Sequence, residues 1–169
     1  MVKLDIIIPV YNEDENIIKL LKLLEKEVIC DFRVLICYDS ESDKTLNYLK
    51  NKNIIKNEIL LIKNPNHGPN SAIIKGIKSA KAEIILVYMA DDFENIQLIN
   101  RMTNLIQSGN DLVIPSRFIS GGKMLGAVKI KEIITKVGSN LIYYLASIPF
   151  KDCTKPEAEV KLKVLQYRH

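Results

Sequence analysis

Three carboxylates behind an apolar run are the first chemistry visible in this chain. Val87-Tyr88-Met89-Ala90-Asp91-Asp92-Phe93-Glu94 sets Asp91, Asp92 and Glu94 within four residues, just past a strand-like segment. On a strand, two adjacent Asp side chains point to opposite faces, but on a turn they can converge. Hard cations such as magnesium take one or two carboxylates and complete their shell with phosphate oxygens and water. The plainer alternative is that Asp91 or Asp92 caps the helix starting near Asn95.

Other residues suit a nucleotide. Ile8-Pro9-Val10-Tyr11-Asn12-Glu13 ends a strand at Pro9, which removes a ladder donor. Tyr11 then offers a ring that can stack on a base, and Glu13 an acceptor for base or ribose. In isolation, the same residues also read as a strand end and a helix start. Arginine is rare, at Arg33, Arg101, Arg117 and Arg168 only. The planar fork of Arg suits phosphate, which singles out Arg117 in the Pro115-Ser116-Arg117 loop, with a surface ion pair as the alternative. Two histidines, His67 and His169, lie far apart, so a histidine-centred metal site or triad is not expected. No G-x-G-x-x-G fingerprint, G-x-x-x-x-G-K-[ST] phosphate loop or G-x-S-x-G elbow occurs.

The elements that must position these residues alternate. Leu4–Val10 is a near-continuous apolar run suited to a strand buried on both faces. Asn12, Asp14 and Glu15 offer capping oxygens for a helix with an apolar stripe at Ile17, Leu20, Leu21, Leu24 and Val28. Strands are expected at Arg33–Tyr38, Glu58–Ile62, Glu83–Met89 and Asp111–Pro115, and helices at Asn70–Ala80 and Ile96–Gln107. A further helical stripe runs from Ile130 to Leu145. Alternating strands and helices predict an α/β fold with a mostly parallel sheet. In such sheets ligands collect at the carboxyl ends of the strands, and there lie Asn12–Glu13, Asp39–Asp43, Asp91–Glu94 and Ser116–Arg117.

Composition narrows the class. The chain has 169 residues, 47% apolar and 26% charged, which suits one folded domain. A net charge of +4 is too diffuse for a nucleic-acid binder, so no nucleic acid is expected. Three cysteines without a C-x-x-C pair suggest reduced thiols. No signal peptide precedes the first strand, and a cytoplasmic setting is expected.

Together these residues resemble the family-2 glycosyltransferases. The similarity rests on Ile7-Ile8-Pro9-Val10-Tyr11-Asn12-Glu13, Asp39 at the end of the second strand, and Met89-Ala90-Asp91-Asp92. It extends to Pro115-Ser116-Arg117-Phe118-Ile119-Ser120-Gly121-Gly122 and Asp152-Cys153-Thr154. Within that family the chain looks most like the polyprenyl-phosphate sugar transferases.

The resemblance implies a single GT-A-type domain over residues 1–154, a mostly parallel sheet flanked by helices, followed by an atypical tail at 155–169. Pro9, Tyr11, Glu13 and Asp39 would hold the nucleoside of a GDP- or UDP-linked sugar. Asp91 and Asp92 would meet the donor diphosphate and, with Glu94, a magnesium or manganese ion. Asp92 and Arg117 would act on the departing phosphate, with Lys131 as a second basic residue. Gly68 and Ala72 would allow close approach to the donor, although Gly68-Pro69 also reads as a plain turn. The implied reaction is sugar transfer with inversion to an acceptor such as a lipid-linked phosphate, at the cytoplasmic membrane face. The chain departs from the family pattern at Ala90, which stands first in the usual Asp-x-Asp. It departs again after Thr154, where Lys155-Pro156-Glu157-Ala158-Glu159 replaces the expected continuation. A truncated or frame-altered C-terminus is one expectation there. The alternatives are a non-catalytic nucleotide-binding fragment and a sugar nucleotidyltransferase, but the latter needs a Gly-rich loop after the first strand.

Overall fold

A computed structural model describes residues 3–50, 54–115 and, as backbone, 158–161. The chain divides into two compact units, Met1–Val113 with Glu157–His169, and Ile114–Pro156. The expected helix from Ile130 to Leu145 lies outside the described residues.

The first unit is built on one strand. The isoleucine-rich β1 (Leu4–Pro9) is buried at every position and pairs in parallel with β2 (Phe32–Tyr38) on one side and β4 (Ile84–Val87) on the other. Beyond β2 lies the parallel edge strand β3 (Ile59–Lys63), and beyond β4 come β6 (Ala158–Lys161) and β5 (Leu112–Val113), giving the order β3-β2-β1-β4-β6-β5. β6 runs antiparallel to both its neighbours. The sheet is thus parallel through β3, β2, β1 and β4, as the alternating sequence predicts, with an antiparallel strand past residue 155 that the charged composition does not announce. The chain steps outward from β1 to β2 and β3, then returns to place β4 on the other flank of β1. In open α/β sheets such a reversal marks a ligand crevice, here at the carboxyl ends of β1 and β4.

Strand alternation sends side chains to two faces. Leu4, Ile6 and Ile8, with Val34, Ile36 and Leu86, share a core with α1 (Asn16–Glu27), the short α2 (Thr45–Tyr48) and α4 (Leu98–Gln107). The stripe read from the sequence, Ile17, Leu20, Leu21 and Leu24, is the buried face of α1. The expected capping is not made. The residue before α1 is Glu15, without a side-chain cap bond, and Asn12 bonds elsewhere.

On the other face, Ile7, Leu35, Cys37 and Ile85 meet α3 (Pro69–Ser79), whose buried residues are the small Ala72 and Gly76. Small residues bring helix and sheet close. A Cβ on Gly76 would fall 2.5 Å from Ile7 Cγ2 and 2.9 Å from Cys37 Sγ. Burial pushes the Cys37 thiol up to about 12, so it remains a packing group rather than a nucleophile.

Asp5 sits on this same face, fully buried and level with Arg33 across the β1–β2 pair. The Arg33 fork donates from Nε to Oδ1 and from Nη2 to Oδ2, both at 2.7 Å. Oδ2 also accepts the backbone N–H groups of Lys81 at 2.6 Å and Ala82 at 2.9 Å. Burial opposes the charge, but these donors outweigh it and hold the Asp5 carboxyl below its ordinary 3.8.

Two outcomes follow from this packing. Because the unfolded chain keeps the ordinary Asp5 value, the stabilisation is present above it and is lost as pH falls through the lower folded value. Urea midpoints measured from about pH 5 down to about pH 2 should therefore decline more steeply for the parent than for Asp5→Asn, and Asp5→Ala should cost about 3–5 kcal/mol near neutrality. Gly76→Ala should lower stability by about 1–3 kcal/mol, overpacking outweighing the gain of about 1 kcal/mol in helix propensity. A raised denaturation midpoint for that variant would contradict the close contact.

Candidate functional site

The loops that leave β1, β2, β3 and β4 at their carboxyl ends carry most of the polar residues singled out above. Pro9 closes β1, and Val10 N–H still reaches Cys37 O at 2.9 Å, so the β1–β2 ladder runs one residue past the strand. Tyr11 follows with 77% of its surface exposed, free to offer a ring face.

Asn12 adopts φ 53°, the left-handed region that non-glycine residues rarely enter and Asn tolerates best. Its conformation is held from the loop after β2. Asn12 N–H donates to Asp43 Oδ1 at 3.1 Å, and Lys44 N–H donates back to Asn12 Oδ1 at 3.1 Å. Next along the chain, Glu13 N–H donates to Thr45 Oγ1 at 2.9 Å. The turn after Asn12 thereby brings Glu13 toward the acidic loop past β4. Partial burial first, then the charges of Asp91, Asp43 and Asp14, raise the Glu13 carboxyl above its ordinary value.

Asp39, just past β2, gives each carboxylate oxygen to a neighbouring loop. Oδ1 accepts from Asn64 Nδ2 at 2.7 Å, and Oδ2 accepts the Gly68 N–H at 2.7 Å. A carboxylate has about four lone-pair sites, so further acceptor capacity remains. Asn64 is 2% exposed and saturated: its N–H reaches Tyr38 O, its amide also reaches Ser71 Oγ, and its Oδ1 accepts Asn66 N–H. The sequence reading did not single out Asn64. Its signal there is only a polar residue at the end of an apolar strand. Gly68, at φ 99°, precedes α3, while Ala72 is buried under the sheet rather than turned to the crevice. His67 is solvated, its Nδ1 4.0 Å from Asp39 Oδ2.

In the acidic loop the two aspartates differ. Asp92 folds back on its own turn: Oδ1 accepts Glu94 N–H and Asn95 N–H, and Oδ2 accepts from Asn95 Nδ2 at 2.6 Å. These bonds close a turn ahead of α4 rather than cap it: the helix starts at Leu98 behind Gln97, which makes no side-chain cap bond, so the expected cap near Asn95 is not made. Asp91 is exposed and lies close enough to Glu13 to raise its pKa. Glu94 is exposed. Phe93 packs against the core and lies under Lys19 Nζ, 4.3 Å from the ring centroid, which pins the loop to α1. Arg117 and Lys131 lie outside the described residues. A depression lined by Glu25, Leu49, Ile55 and Glu58 sits beside the start of β3 and shares no residue with this cluster.

The structure thus sets Glu13 within electrostatic reach of Asp91, and Asp39 at the same edge of the sheet. Among the described residues no three His, Cys, Asp or Glu side chains gather as a metal cage. Magnesium, however, is usually held by one or two carboxylates with substrate phosphates. The unbalanced charge of Glu13, Asp43 and Asp91 favours a cation nearby.

Residues 5–156 match the family described as glycosyl transferase family 2. A dolichol-phosphate mannosyltransferase from Pyrococcus furiosus is 27% identical over 91% of this chain and 44% of its own length. An undecaprenyl-phosphate 4-deoxy-4-formamido-L-arabinose transferase from Proteus mirabilis is 31% identical over 66% of this chain and 36% of its own. The chain therefore spans less than half the length of these two relatives. Among solved structures, the glucosyl-3-phosphoglycerate synthase of Mycobacterium tuberculosis with Mn2+, UDP-glucose and phosphoglyceric acid superposes with a TM-score of 0.66. That match covers 95% of this chain and 56% of the other, at 14% identity, which speaks to the GT-A fold alone. No described helix is long and apolar enough to cross a membrane.

The Asn64 contacts yield a test. Asn64→Asp sets a carboxylate against Asp39 and removes the amide donor, so stability should fall by about 2 kcal/mol or more at neutral pH. Equal denaturation midpoints for parent and variant at neutral pH would refute the arrangement.

Proposed function

The chain belongs to glycosyl transferase family 2, and on that premise we propose that it binds a nucleotide-diphospho-sugar at the carboxyl edge of β1, β2 and β4. The whole protein would transfer the sugar, with inversion, to a polyprenyl phosphate or similar lipid-linked acceptor at a membrane surface. The observation that carries the reading is the gathering of the loops past β1 and β2, joined through Asp43 and Thr45, at the edge where the sheet order reverses, with the acidic loop past β4 within electrostatic reach of Glu13. The two polyprenyl-phosphate transferases described above support the acceptor class, and the UDP-glucose complex of the mycobacterial enzyme supports the donor class.

In this reading Tyr11 stacks on the base, while Glu13 and Asp39 accept hydrogen bonds from base or ribose. Pro9 fixes where the β1 loop leaves the sheet. Asp91, rather than Asp91, Asp92 and Glu94 together, would hold a magnesium or manganese ion whose shell donor phosphates and water complete, and the ion would neutralise charge on the leaving diphosphate. Asp92 keeps the acidic turn closed and so fixes the backbone that carries Asp91. Arg117 and Lys131 would meet the donor or acceptor phosphate, a role suited to the bidentate guanidinium of Arg117. A phosphate nucleophile is already ionised, so no general base is required of this chain.

Donor binding is testable on the 169 residues themselves. UDP and GDP, titrated calorimetrically with magnesium, manganese or a chelator, should bind at least about tenfold tighter with metal. Asp91→Asn and Asp92→Asn should each reduce that metal dependence. Affinity unchanged between metal and chelator would overturn the metal role, and no binding of either nucleotide would overturn the donor site.

A further inference from the structure

The acid-bearing loops past β1 and β2 are joined by side chains that themselves face inward. Thr45 is fully buried and Asp43 is 5% exposed, so neither offers much surface to a ligand. Yet between them they take up the backbone N–H groups of both residues that follow Tyr11. Asp43 Oδ1 accepts from Asn12 at 3.1 Å and, within its own loop, from Thr45 N–H at 2.9 Å. Thr45 Oγ1 accepts from Glu13 N–H at 2.9 Å, and Asn12 Oδ1 accepts from Lys44 N–H at 3.1 Å. The partners are 31 or 32 residues apart, so each bond joins two loops rather than shaping one. The left-handed Asn12 backbone is costly for a side-chain-bearing residue, and the reciprocal bonds offset it.

We propose that Asp43 and Thr45 are positioning residues for nucleotide binding: their side chains hold the Asn12–Glu13 backbone so that Tyr11 and Glu13 face the donor crevice. The inference rests on the donor-site reading given above. Without the clasp, the segment from Tyr11 to Glu15 would have only its own turn preferences, and ordering it would be charged against ligand affinity. With the clasp, Glu13 is fixed before the ligand arrives. Part of the energy of the clasp is then stored as the strained φ at Asn12.

The test uses Thr45→Val, which keeps the shape of the side chain and deletes the acceptor, and Thr45→Ser, which restores it. For the donor nucleotide bound by the parent, UDP or GDP with magnesium, Thr45→Val should raise Kd by up to about tenfold. Amide hydrogen exchange should quicken over residues 10–15 and stay unchanged in β1, β2 and β4, and Thr45→Ser should bring both readouts back. Asn12→Gly provides a variant outside the core. Glycine accepts the positive φ while releasing Lys44 N–H, so Kd should again rise with the fold intact. Faster exchange at 10–15 with unchanged Kd would overturn the inference, as would a raised Kd accompanied by faster exchange throughout the sheet. A parent that binds neither nucleotide would instead overturn the donor-site reading, and this inference with it.

Discussion

The buried Asp5 carboxylate is the contact on which the rest of the first unit depends. Charge without water is tolerable only where donors surround it, and four N–H groups from Arg33, Lys81 and Ala82 do so. Arg33 lies opposite Asp5 in the β1–β2 pair, so the ion pair selects one register. A slip of one residue would put the guanidinium on the other face of the sheet, beneath α1. Lys81 and Ala82 lie between α3 and β4, so the same carboxylate marks where the returning chain joins β1.

Register fixed at the amino ends determines which loops meet at the carboxyl ends. With Pro9 level with Cys37, the turn at Asn12 comes beside Asp43, and the Glu13 backbone comes beside Thr45. On the opposite face, Gly76 lets α3 lie close against Ile7 and Cys37, and the N-terminus of that helix is tied to Asp39 through Gly68. Rigid elements placed in this way present short loops whose own sequences have little power to organise them.

The two ends of the sheet differ in electrostatic balance. At the amino end the Asp5 charge is matched by a guanidinium and backbone donors. At the carboxyl end partial burial first, and then the charges of Asp91, Asp43 and Asp14, raise the Glu13 pKa instead of lowering it. Folding alone gives no reason to gather like charges, so the carboxyl end carries an electrostatic cost that a cation or a hydrogen-bonding ligand can relieve. The asymmetry supports the donor site proposed at the carboxyl edge.

Much of the fold was legible in the sequence, because burial leaves a local period. The unbroken apolar run of β1 and the Ile17-Leu20-Leu21-Leu24 stripe specify strand and helix from neighbouring residues alone. Alternation of such segments then implies the parallel sheet. The acidic loop after β4, Tyr11, Glu13 and Asp39 were legible as residues just past strand ends, which is where the structure puts them. Tertiary structure alone decided which of these residues meet. It paired Ala158–Lys161 with β4 and β5 although its composition reads as a charged tail, turned Asp92 back onto Asn95, and made Asn64, Asp43 and Thr45 the joints between loops. The physical reason is range: hydrophobic periodicity is written in adjacent residues, whereas a hydrogen bond across 25 to 32 positions exists only once strand register has brought its donor and acceptor together.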